Sequence, residues 1–568
     1  MSDTVEMISN PASDAIKVNR LDAKSRAERD HERFSGKSRA AQLRREKNAF
    51  YVSMATLLVA LLALAVAIAA AVSTTVSNPV PPNGDKWERD YAALRDKLPL
   101  HFNQLVDIPT IGARDSEWFS VEGQLYIAFS SAEDDSGTKD INSQIWRFNR
   151  ENRSFVLHQN INVYSAHDAD VMIIGGETYL TFASKGPKDV QKSGTKLFKY
   201  NKATTKFDFY QDLDVTGKYI RDIDHFQNEG ADWIVLCISE RKASDGTHTL
   251  NDAKSEVWKW DTSTKKFKFH QSLDSLGARD AEFFVVEGVA CIAIANTKGL
   301  DPAGGAGKNY PRIIDSYVYK WNTNTAKFVP SDNIPDTEGN YDFKYFELQT
   351  RCLDNSTGAI KVENASFLAA AFSTNGVIRE VESPIYKWHG WETGPTGQKG
   401  WIVHQKIPGL GARDVEFFQM PSHNIVAAAS GDKTAEGYVA TGKGCPRASE
   451  NPHNTKEYRS CVNSFLAIAN HEYNNKKDND VHSAIYAWSM WQNKFIAIQS
   501  VPTFGMRDFA YWYDAPTDSH LLSTASSKEK KGTLNTESFV LDTLGLRVPE
   551  LEDEELNKHY TSEIPSCG

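Results

Sequence analysis

The feature that most constrains this chain is a short motif that recurs seven times. In its clearest form the motif reads Gly-Ala-Arg-Asp, then one further residue, an acid and two aromatics, as at Gly112–Phe119, Gly277–Phe284 and Gly411–Phe418. Looser copies keep the aspartate, and successive copies are 53 to 94 residues apart. The seven aspartates are Asp115, Asp168, Asp222, Asp280, Asp342, Asp414 and Asp508. A period of this length indicates one supersecondary unit per copy, stacked on its neighbours.

Each copy is followed by the pattern of further short strands. An apolar run such as Leu125–Phe129 comes first, and a Ser-x-apolar-aromatic-Lys-aromatic run such as Ser255–Trp260 comes next. A Phe or Trp with Gln four residues later, as in Phe267 and Gln271, ends the unit. Four strands per unit, without a helical stretch, predict an all-β, seven-bladed β-propeller. The recurring Trp of the third strand is interpreted as inter-blade core rather than as a sugar-stacking surface.

The seventh unit predicts how the ring closes. It ends without a Phe/Gln strand, and the segment Leu100–Ile108, which precedes the first unit, supplies one. Gln104 takes the Gln position in this alignment, because it lies as far before Asp115 as Gln211 lies before Asp222. The N-terminal strand should therefore complete the last blade and remove an exposed sheet edge.

An uncharged apolar segment precedes the repeats. Ala49–Val72 is roughly 36 Å long as a helix, which is enough to cross a hydrocarbon core of about 30 Å. Basic residues stand just before it, so the positive-inside rule predicts a type II signal-anchor with the repeats outside the cell, at the plasma membrane. A cleaved signal peptide and a buried helix are the alternatives. The predicted divisions are a disordered cytosolic tail (1–48), the transmembrane helix (49–72), a stalk (73–97), the propeller (98–545) and a C-terminal tail (546–568).

Charge and cysteine usage support an extracellular propeller. The formal net charge is −10, and the part after the apolar segment is acidic, which excludes nucleic acid as a natural partner. All six cysteines follow the apolar segment, as in proteins of an oxidising compartment. Cys445 and Cys461 flank one polar loop and are predicted to form a disulfide. Cys237 and Cys291 lie in apolar strands and are interpreted as buried thiols, with a disulfide between adjacent blades as the alternative. Cys352 and Cys567 have no evident partner.

Three sequons fit the same topology. They are Asn152, Asn355 and Asn364, each placed in a predicted turn or loop where a glycan can be tolerated.

The repeats resemble the epilepsy-associated repeat, also called the epitempin, EAR or EPTP repeat. The G-A-x-D-x-E-F-F entry, the S-x-I-Y-K-W strand and the F-x-x-x-Q ending carry the resemblance, which covers about residues 98–545. The resemblance implies a seven-bladed extracellular propeller used for protein–protein recognition. The chain differs from the relatives in this family in that a predicted type II membrane anchor precedes its propeller, in place of a leucine-rich or thrombospondin-like module.

The seven aspartates are the candidate site. If they begin the innermost strands, several carboxylates converge near the axis, and such an oxygen-rich site suits Ca²⁺. The functional hypothesis is a channel cation, Ca²⁺, with Asp115, Asp168 and Asp170 among its ligands. The favoured interpretation is architectural: each Asp pairs with the preceding Arg, as in Arg114–Asp115, or caps backbone N–H groups between blades.

Function is interpreted as binding rather than catalysis. The chain has no G-x-S-x-G, H-E-x-x-H or P-loop motif. The predicted partner is an extracellular protein ligand or receptor at cell contacts, with a glycan-binding propeller as the runner-up and a carboxylate-based propeller hydrolase third. The binding face is expected on one rim, formed by the long insertions. These insertions are Thr297–Pro311, Gly390–Lys399, Gly431–Arg459 and Asn470–Asp480.

Overall fold

The computed structural model describes most of the repeat region. The described residues are 102–186, 195–213, 218–242, 249–300, 310–354, 357, 359–393, 397–421, 462–472, 480–489, 493–517, 519–527 and 535–542. They form seven antiparallel sheets of four or five strands each, arranged as the seven blades of a propeller. The all-β prediction is confirmed for this region, where one 3₁₀ turn at Ala515–Thr517 is the single helical segment described.

Blades one to four follow in chain order, and each runs from the innermost strand outward. Blade one is β2 (Ala113–Val121), β3 (Gln124–Ser131), β4 (Asn142–Asn149) and β5 (Ser154–Asn162). Blade two is β6 (Ala166–Ile174), β7 (Glu177–Ser184), β8 (Lys196–Asn201) and β9 (Lys206–Asp212). Blade three is β10 (Lys218–Asn228), β11 (Ala231–Lys242), β13 (Ser255–Asp261) and β14 (Lys266–Leu273), with the short β12 (Thr249–Leu250) beside β11. Blade four is β15 (Ala278–Val286), β16 (Val289–Asn296), β17 (Ile313–Asn322) and β18 (Lys327–Pro330), with β19 (Ile334–Glu338) beside β17.

The last three blades follow the same order. Blade five is β20 (Asn340–Asp354), β21 (Ala359–Phe372), β22 (Glu380–Trp388) and β23 (Trp401–Leu410). Blade six is β24 (Ala412–Pro421), β25 (Val462–Asn470), β26 (Asp480–Ser489) and β27 (Lys494–Phe504). Blade seven is β28 (Met506–Asp514), β29 (Ser519–Ser526), β30 (Asn535–Asp542) and β1 (Asn103–Ile111).

The ring closes through its first strand, as predicted. β1 pairs antiparallel with β30, so the N-terminal strand is the outermost strand of the last blade. The assignment of Gln104 to the Gln position was wrong. In four blades the motif Gln lies nine residues before the next motif Asp. Val106 lies nine residues before Asp115, so Val106 takes the Gln position of blade seven. Gln211 is the exception, because it lies eleven residues before Asp222. The side chain of Gln104 instead donates to Asp107 in its own strand.

The third-strand Ser and the Phe/Gln ending both have structural roles. The Ser hydroxyl accepts a hydrogen bond from the last backbone amides of the second strand, as in Ser131 N to Ser143 Oγ at 3.2 Å. The Gln clasps the outer strand of the next blade. Gln405 Nε2 donates to the carbonyl of Phe495 at 2.8 Å, and the Phe495 amide donates back to Oε1 at 2.8 Å. The other clasps join Gln159 to Phe207, Gln211 to Phe267, Gln271 to Phe328 and Gln499 to Phe102.

The core lies between blades. Each apolar cluster combines residues of two neighbouring sheets, such as Tyr179 of blade two with Trp260 of blade three, whose rings are 5.4 Å apart. The interpretation of the recurring Trp as core is confirmed. Trp146, Trp260 and Trp321 are buried, and the remaining repeat tryptophans pack partly buried against the same clusters. Burial of such large rings is the main apolar contribution to holding one blade on the next.

Strand direction gives the ring two different faces. At one end, here called the turn face, the first and second strands of blades one to four are joined by two-residue turns such as Glu122–Gly123, both at positive φ, as type I′ hairpins require. At the other end, here called the loop face, the second and third strands of every blade are joined by longer connections. These connections are residues 132–141, 185–195, 243–254, 297–312, 373–379, 471–479 and 527–534.

The long insertions do not share one rim, contrary to expectation. Thr297–Pro311 and Asn470–Asp480 connect second to third strands and leave from the loop face. Gly390–Lys399 joins β22 to β23, and Gly431–Arg459 lies between β24 and β25, so both leave from the turn face. Successive connections of an antiparallel sheet lie at opposite ends of its strands. A connection between the second and third strands therefore lies on the loop face, and a connection between the first and second or the third and fourth strands lies on the turn face. Within the described residues, β1 begins and β30 ends at the turn face.

Several sequence predictions fall outside the described residues. The tail 1–48, the anchor 49–72, the stalk 73–97, the Cys445–Cys461 disulfide and the Asn355 sequon are among them. Within the part of the chain that is described, no helix is long and apolar enough to span a membrane. Asn152 lies exposed in the turn between β4 and β5, as predicted. Asn364 is also exposed but lies within β21, because the β20–β21 hairpin is longer than its counterparts.

The cysteines follow the sequence interpretation in part. Cys237 and Cys291 are buried free thiols. Cys352, for which the sequence indicated no partner, is disulfide-bonded, and its partner lies outside the described residues.

Candidate functional site

A β-bulge in every innermost strand shapes the central channel. In six blades the pairing between the first and second strands skips one residue immediately before the motif Asp, as between Ala113 and Asp115, and in blade four it skips both Arg279 and Asp280. In a regular strand, neighbouring side chains point to opposite faces, whereas a bulge turns one residue out of that alternation. The residue before the Asp and the Asp itself therefore both line the channel, as Arg114 and Asp115 do.

The motif Gly makes the entry into the bulge possible. Gly112 has φ +54°, and a Cβ at this position would lie 2.0 Å from the carbonyl oxygen of Glu133. A side chain is excluded there both by backbone conformation and by space.

The seven motif aspartates form a closed ring of hydrogen bonds between blades. Each carboxylate accepts the backbone amide that follows the motif Asp of the next blade, as Asp115 Oδ2 accepts Ala169 N at 2.9 Å. The same bond joins every other pair of neighbours around the ring, including Ser116 N to Asp508 across the closure. Of the two architectural roles considered for these residues, capping between blades is the one observed. No Arg–Asp ion pair of the predicted kind occurs among the described residues.

A second tier of side chains lies two residues further along each innermost strand, and it is charged in every blade but the seventh. Its members are Glu117, Asp170, Asp224, Glu282, Lys344, Glu416 and, in blade seven, Ala510. Several of these acids cap the next blade in turn, as Glu282 Oε1 accepts Tyr345 N at 2.8 Å. Lys344 is the one cation of the tier, and its Nζ lies 3.1 Å from Glu416 Oε2. The sequence analysis missed Lys344 as part of the site, although its place at the acid position of the fifth copy was the available signal.

The electrostatics of the two tiers are dominated by burial and mutual repulsion. Burial, together with Glu282, raises the pKa of Asp280 to about 8. Burial, with Glu416 beside it, raises the pKa of Asp508 to about 7. Burial likewise raises the pKa of Asp115 well above its usual range, with Asp508 and Asp168 adding to the effect. The channel therefore holds protons, or another source of positive charge, near neutral pH.

The predicted calcium ligands provide suitable donor atoms without forming a gathered site. Asp170 Oδ2 is buried and has no hydrogen-bond partner among the described residues, so this oxygen is available to coordinate a cation. Asp115 and Asp168, however, each use Oδ2 to accept a backbone amide. Across the described residues, no group of three or more His, Cys, Asp or Glu side chains is placed to hold a metal ion. The Ca²⁺ site thus remains a prediction.

The bulge residues form a cationic mouth where the channel opens on the loop face. Going round the ring they are Arg114, His167, Arg221, Arg279, Tyr341, Arg413 and Arg507. They surround a cavity of about 370 Å³. Arg221 Nη1 donates to the His167 ring at 2.7 Å, and burial together with Arg221 holds the pKa of His167 well below its usual range. His167 is therefore a neutral acceptor, and the positive charge of the mouth resides on its arginines.

This arrangement of seven blades around a polar channel built from a repeated motif defines the fold as a seven-bladed β-propeller. The EPTP domain family matches residues 154–201 and 266–322, which lie in blades one to four. Over these two segments the chain is similar to EPTP domains, in agreement with the repeat motifs of the sequence.

Relatives of known name carry the same repeat. The mouse thrombospondin-type laminin G domain and EAR repeat-containing protein is 24% identical over 314 residues, which cover 46% of this chain and 42% of that protein. Human leucine-rich repeat LGI family member 2 is 22% identical over 314 residues, covering 55% of this chain and 45% of that protein. The chain thus spans about half the length of the curated relatives it matches.

Solved structures give more distant matches. Saccharomyces cerevisiae Sqt1 has a TM-score of 0.39 at 10% identity, covering 79% of this chain and 99% of that one. A Lactobacillus plantarum protein has a TM-score of 0.38 at 10% identity, covering 70% and 86%.

Proposed function

We propose that this chain is a type II single-pass plasma-membrane protein whose extracellular EAR propeller recognises another protein through its loop face. The observation that carries the proposal is the asymmetry of the two faces. Seven connections of differing length and sequence surround the channel mouth on the loop face, whereas the first four blades end in two-residue turns on the other face. Loops that vary on a regular scaffold are where binding specificity is usually found.

Two further features support recognition rather than catalysis. Among the described residues, β1 begins and β30 ends at the turn face, the face opposite the channel mouth. The motif carboxylates occupy equivalent positions in all seven blades and are held by neighbouring backbone amides, which is an architectural use of these acids. An exposed Asn152 in a turn fits glycosylation on the extracellular side.

Surface labelling of intact cells tests the topology. Full-length chain with a C-terminal tag should be labelled from outside, and glycosidase should shift its mobility. Asn152→Gln should remove part of that shift, and Asn364→Gln a further part. A tag reached only after permeabilisation, on a chain insensitive to glycosidase, contradicts the topology and leaves the propeller unaffected.

Cross-linking on the same cells tests recognition. Replacing the loop-face segment 373–379 with a Gly/Ser linker should abolish recovery of a protein partner, whereas changing the turn at Gly175–Gly176 to Asn-Gly should not. Binding to a glycan array with no protein partner recovered would favour the glycan-binding alternative. Turnover of a glycoside would favour the hydrolase alternative.

Calcium in the channel is part of the proposal. Asp115, Asp168 and Asp170 would supply its oxygen ligands. Thermal stability of the full-length chain should then rise with CaCl₂ and not with MgCl₂, and the double variant Asp115→Asn, Asp168→Asn should lose the calcium increment. Equal responses to both salts would contradict the prediction.

A further inference from the structure

The cationic mouth on the loop face has the features of an anion site. Five guanidinium groups from five different blades converge on one cavity of about 370 Å³. They belong to Arg114, Arg221, Arg279, Arg413 and Arg507. Such convergence of like charge is unfavourable unless a counter-ion is present.

The guanidiniums have unused donors. Arg413 Nε and Nη1, Arg279 Nε and Arg114 Nε are buried, and no hydrogen-bond partner is placed for them among the described residues. Arg279 makes no ion pair in this part of the chain. A buried N–H of a charged group without an acceptor is costly, so these donors call for a ligand that enters the cavity.

Tyr341 fixes the two central guanidiniums. The Cζ of Arg413 lies 3.8 Å from the centre of the Tyr341 ring, and the Cζ of Arg279 lies 5.0 Å from it. Both arginines thus contact one aromatic ring by a cation–π interaction, which orients them without using their N–H groups. Two pre-oriented donor forks beside each other match the oxygens of a tetrahedral anion.

The loop residues around the mouth add positive charge. The loop connections contribute Lys139 and Lys185 to the lining, against Glu133 as the one acid of the loops that line the cavity. The seven motif aspartates also line the cavity, but each already accepts a backbone amide of the neighbouring blade, so their charge is partly compensated within the scaffold. Burial, with Arg279 nearby, lowers the pKa of Arg413 to about 9, which is the effect expected of a guanidinium that lacks a counter-ion.

We propose that the channel mouth binds a compact divalent oxyanion, sulfate or phosphate, either free or as a terminal monoester. The cavity and its unpaired arginine donors carry the inference. It goes beyond protein recognition and does not depend on the membrane topology, because the residues involved lie wholly within the propeller.

Calorimetric titration of the full-length chain in detergent tests the site. Inorganic sulfate and phosphate are the probes, titrated at constant ionic strength against NaCl, because general salt effects also change stability. We expect saturable binding of sulfate or phosphate with no such signal for chloride. Glucose 6-sulfate and glucose 6-phosphate distinguish the two sources: tighter binding than the free anion assigns the site to an ester, and weaker binding assigns it to the free ion.

Matched variants complete the test. Arg413→Gln and, separately, Arg279→Gln should each weaken binding by about tenfold, since each removes charge-assisted hydrogen bonds. Arg147→Gln, at an exposed position on β4, should leave binding unchanged. If one mouth variant does not fold, the other and the wild-type titration still decide. Absence of saturable binding to the wild-type chain, or equal affinity in Arg147→Gln and both mouth variants, overturns the proposal.

Discussion

The carboxylate of Asp508 in the seventh blade accepts two hydrogen bonds from Ser116 in the first, one from its amide at 3.0 Å and one from its hydroxyl at 2.7 Å. The other motif aspartates accept one backbone amide from the motif segment of the next blade. The seam where the two ends of the ring meet is thus reinforced at the channel.

Shortening Ser116 should weaken this seam. Ser116→Ala removes the hydroxyl that bonds both Asp508 and Ser523, and we expect a loss of about 1 kcal/mol in unfolding free energy. Urea denaturation followed by tryptophan fluorescence measures it. Ser120→Ala, at an exposed position of the same strand β2, is the control and should change the unfolding free energy little. A Ser116→Ala protein as stable as wild type would mean that the amide alone holds the seam.

A Gln side chain should also stabilise the junction between blades seven and one, where the native chain has none at the equivalent position. Gln405→Leu leaves the Phe495 amide and carbonyl without their side-chain partners and should cost about 1–3 kcal/mol. Val106 occupies the Gln position of blade seven and packs, like Phe155 of blade one, against the apolar cluster between these two blades. Val106→Gln should therefore raise the urea midpoint by adding the missing clasp, whereas Val106→Leu should not. A midpoint lowered equally by both changes would show that Gln cannot reach Phe155.

An ion pair stands at the same seam. Arg150 Nη2 lies 2.7 Å from Asp514 Oδ1, and the Asp514 side chain is 1% exposed. Arg150→Met should cost about 1–3 kcal/mol, because it leaves a buried carboxylate without its charged partner, while the partial exposure of Arg150 limits the loss. Lys254→Met, which breaks an exposed pair with Asp274, is the matched control and should change the unfolding free energy little. Equal effects of the two changes would place the Arg150 pair among ordinary surface contacts.

Stability should fall as pH rises through the neutral range. Burial, with Glu282, raises the pKa of Asp280 to about 8, and burial, with Glu416, raises that of Asp508 to about 7, against about 3.9 in an unfolded chain. The folded state therefore keeps protons that the unfolded state has lost. Their stabilising effect is fully present below the unfolded pKa and disappears as pH rises through the folded pKa.

Melting temperatures between pH 6.5 and 7.5 measure this effect most cleanly, because at higher pH the burial of Lys185 and Lys298, which lowers the pKa of each to about 8, acts in the opposite direction. Below pH 6.5, His167 opposes it, since burial lowers the pKa of His167 and the unfolded state then binds the extra proton. Asp280→Asn should flatten the profile, because the amide mimics the protonated acid. A melting temperature that rises with pH over this range would contradict the prediction.

The sequence alone determined the repeat number, the order of strands within each blade and the use of the N-terminal strand to close the ring. These features are local or periodic: alternation, turn residues and motif spacing are readable along the chain, as in Leu125–Phe129 and Ser255–Trp260. The burial of the repeat tryptophans followed for the same reason, because a residue that recurs at one place in every unit belongs to the scaffold.

Only the tertiary structure decided the site. A bulge before each Asp turns both Arg and Asp into the channel, which the alternation rule does not predict. Each motif Asp accepts a backbone amide of the next blade. Lys344 and Tyr341 likewise act through contacts with residues of the neighbouring blade, and Val106 acts through its packing at the junction with blade one. Side chains brought together by ring closure share no local pattern in the sequence, so their contacts follow from geometry that the fold alone supplies.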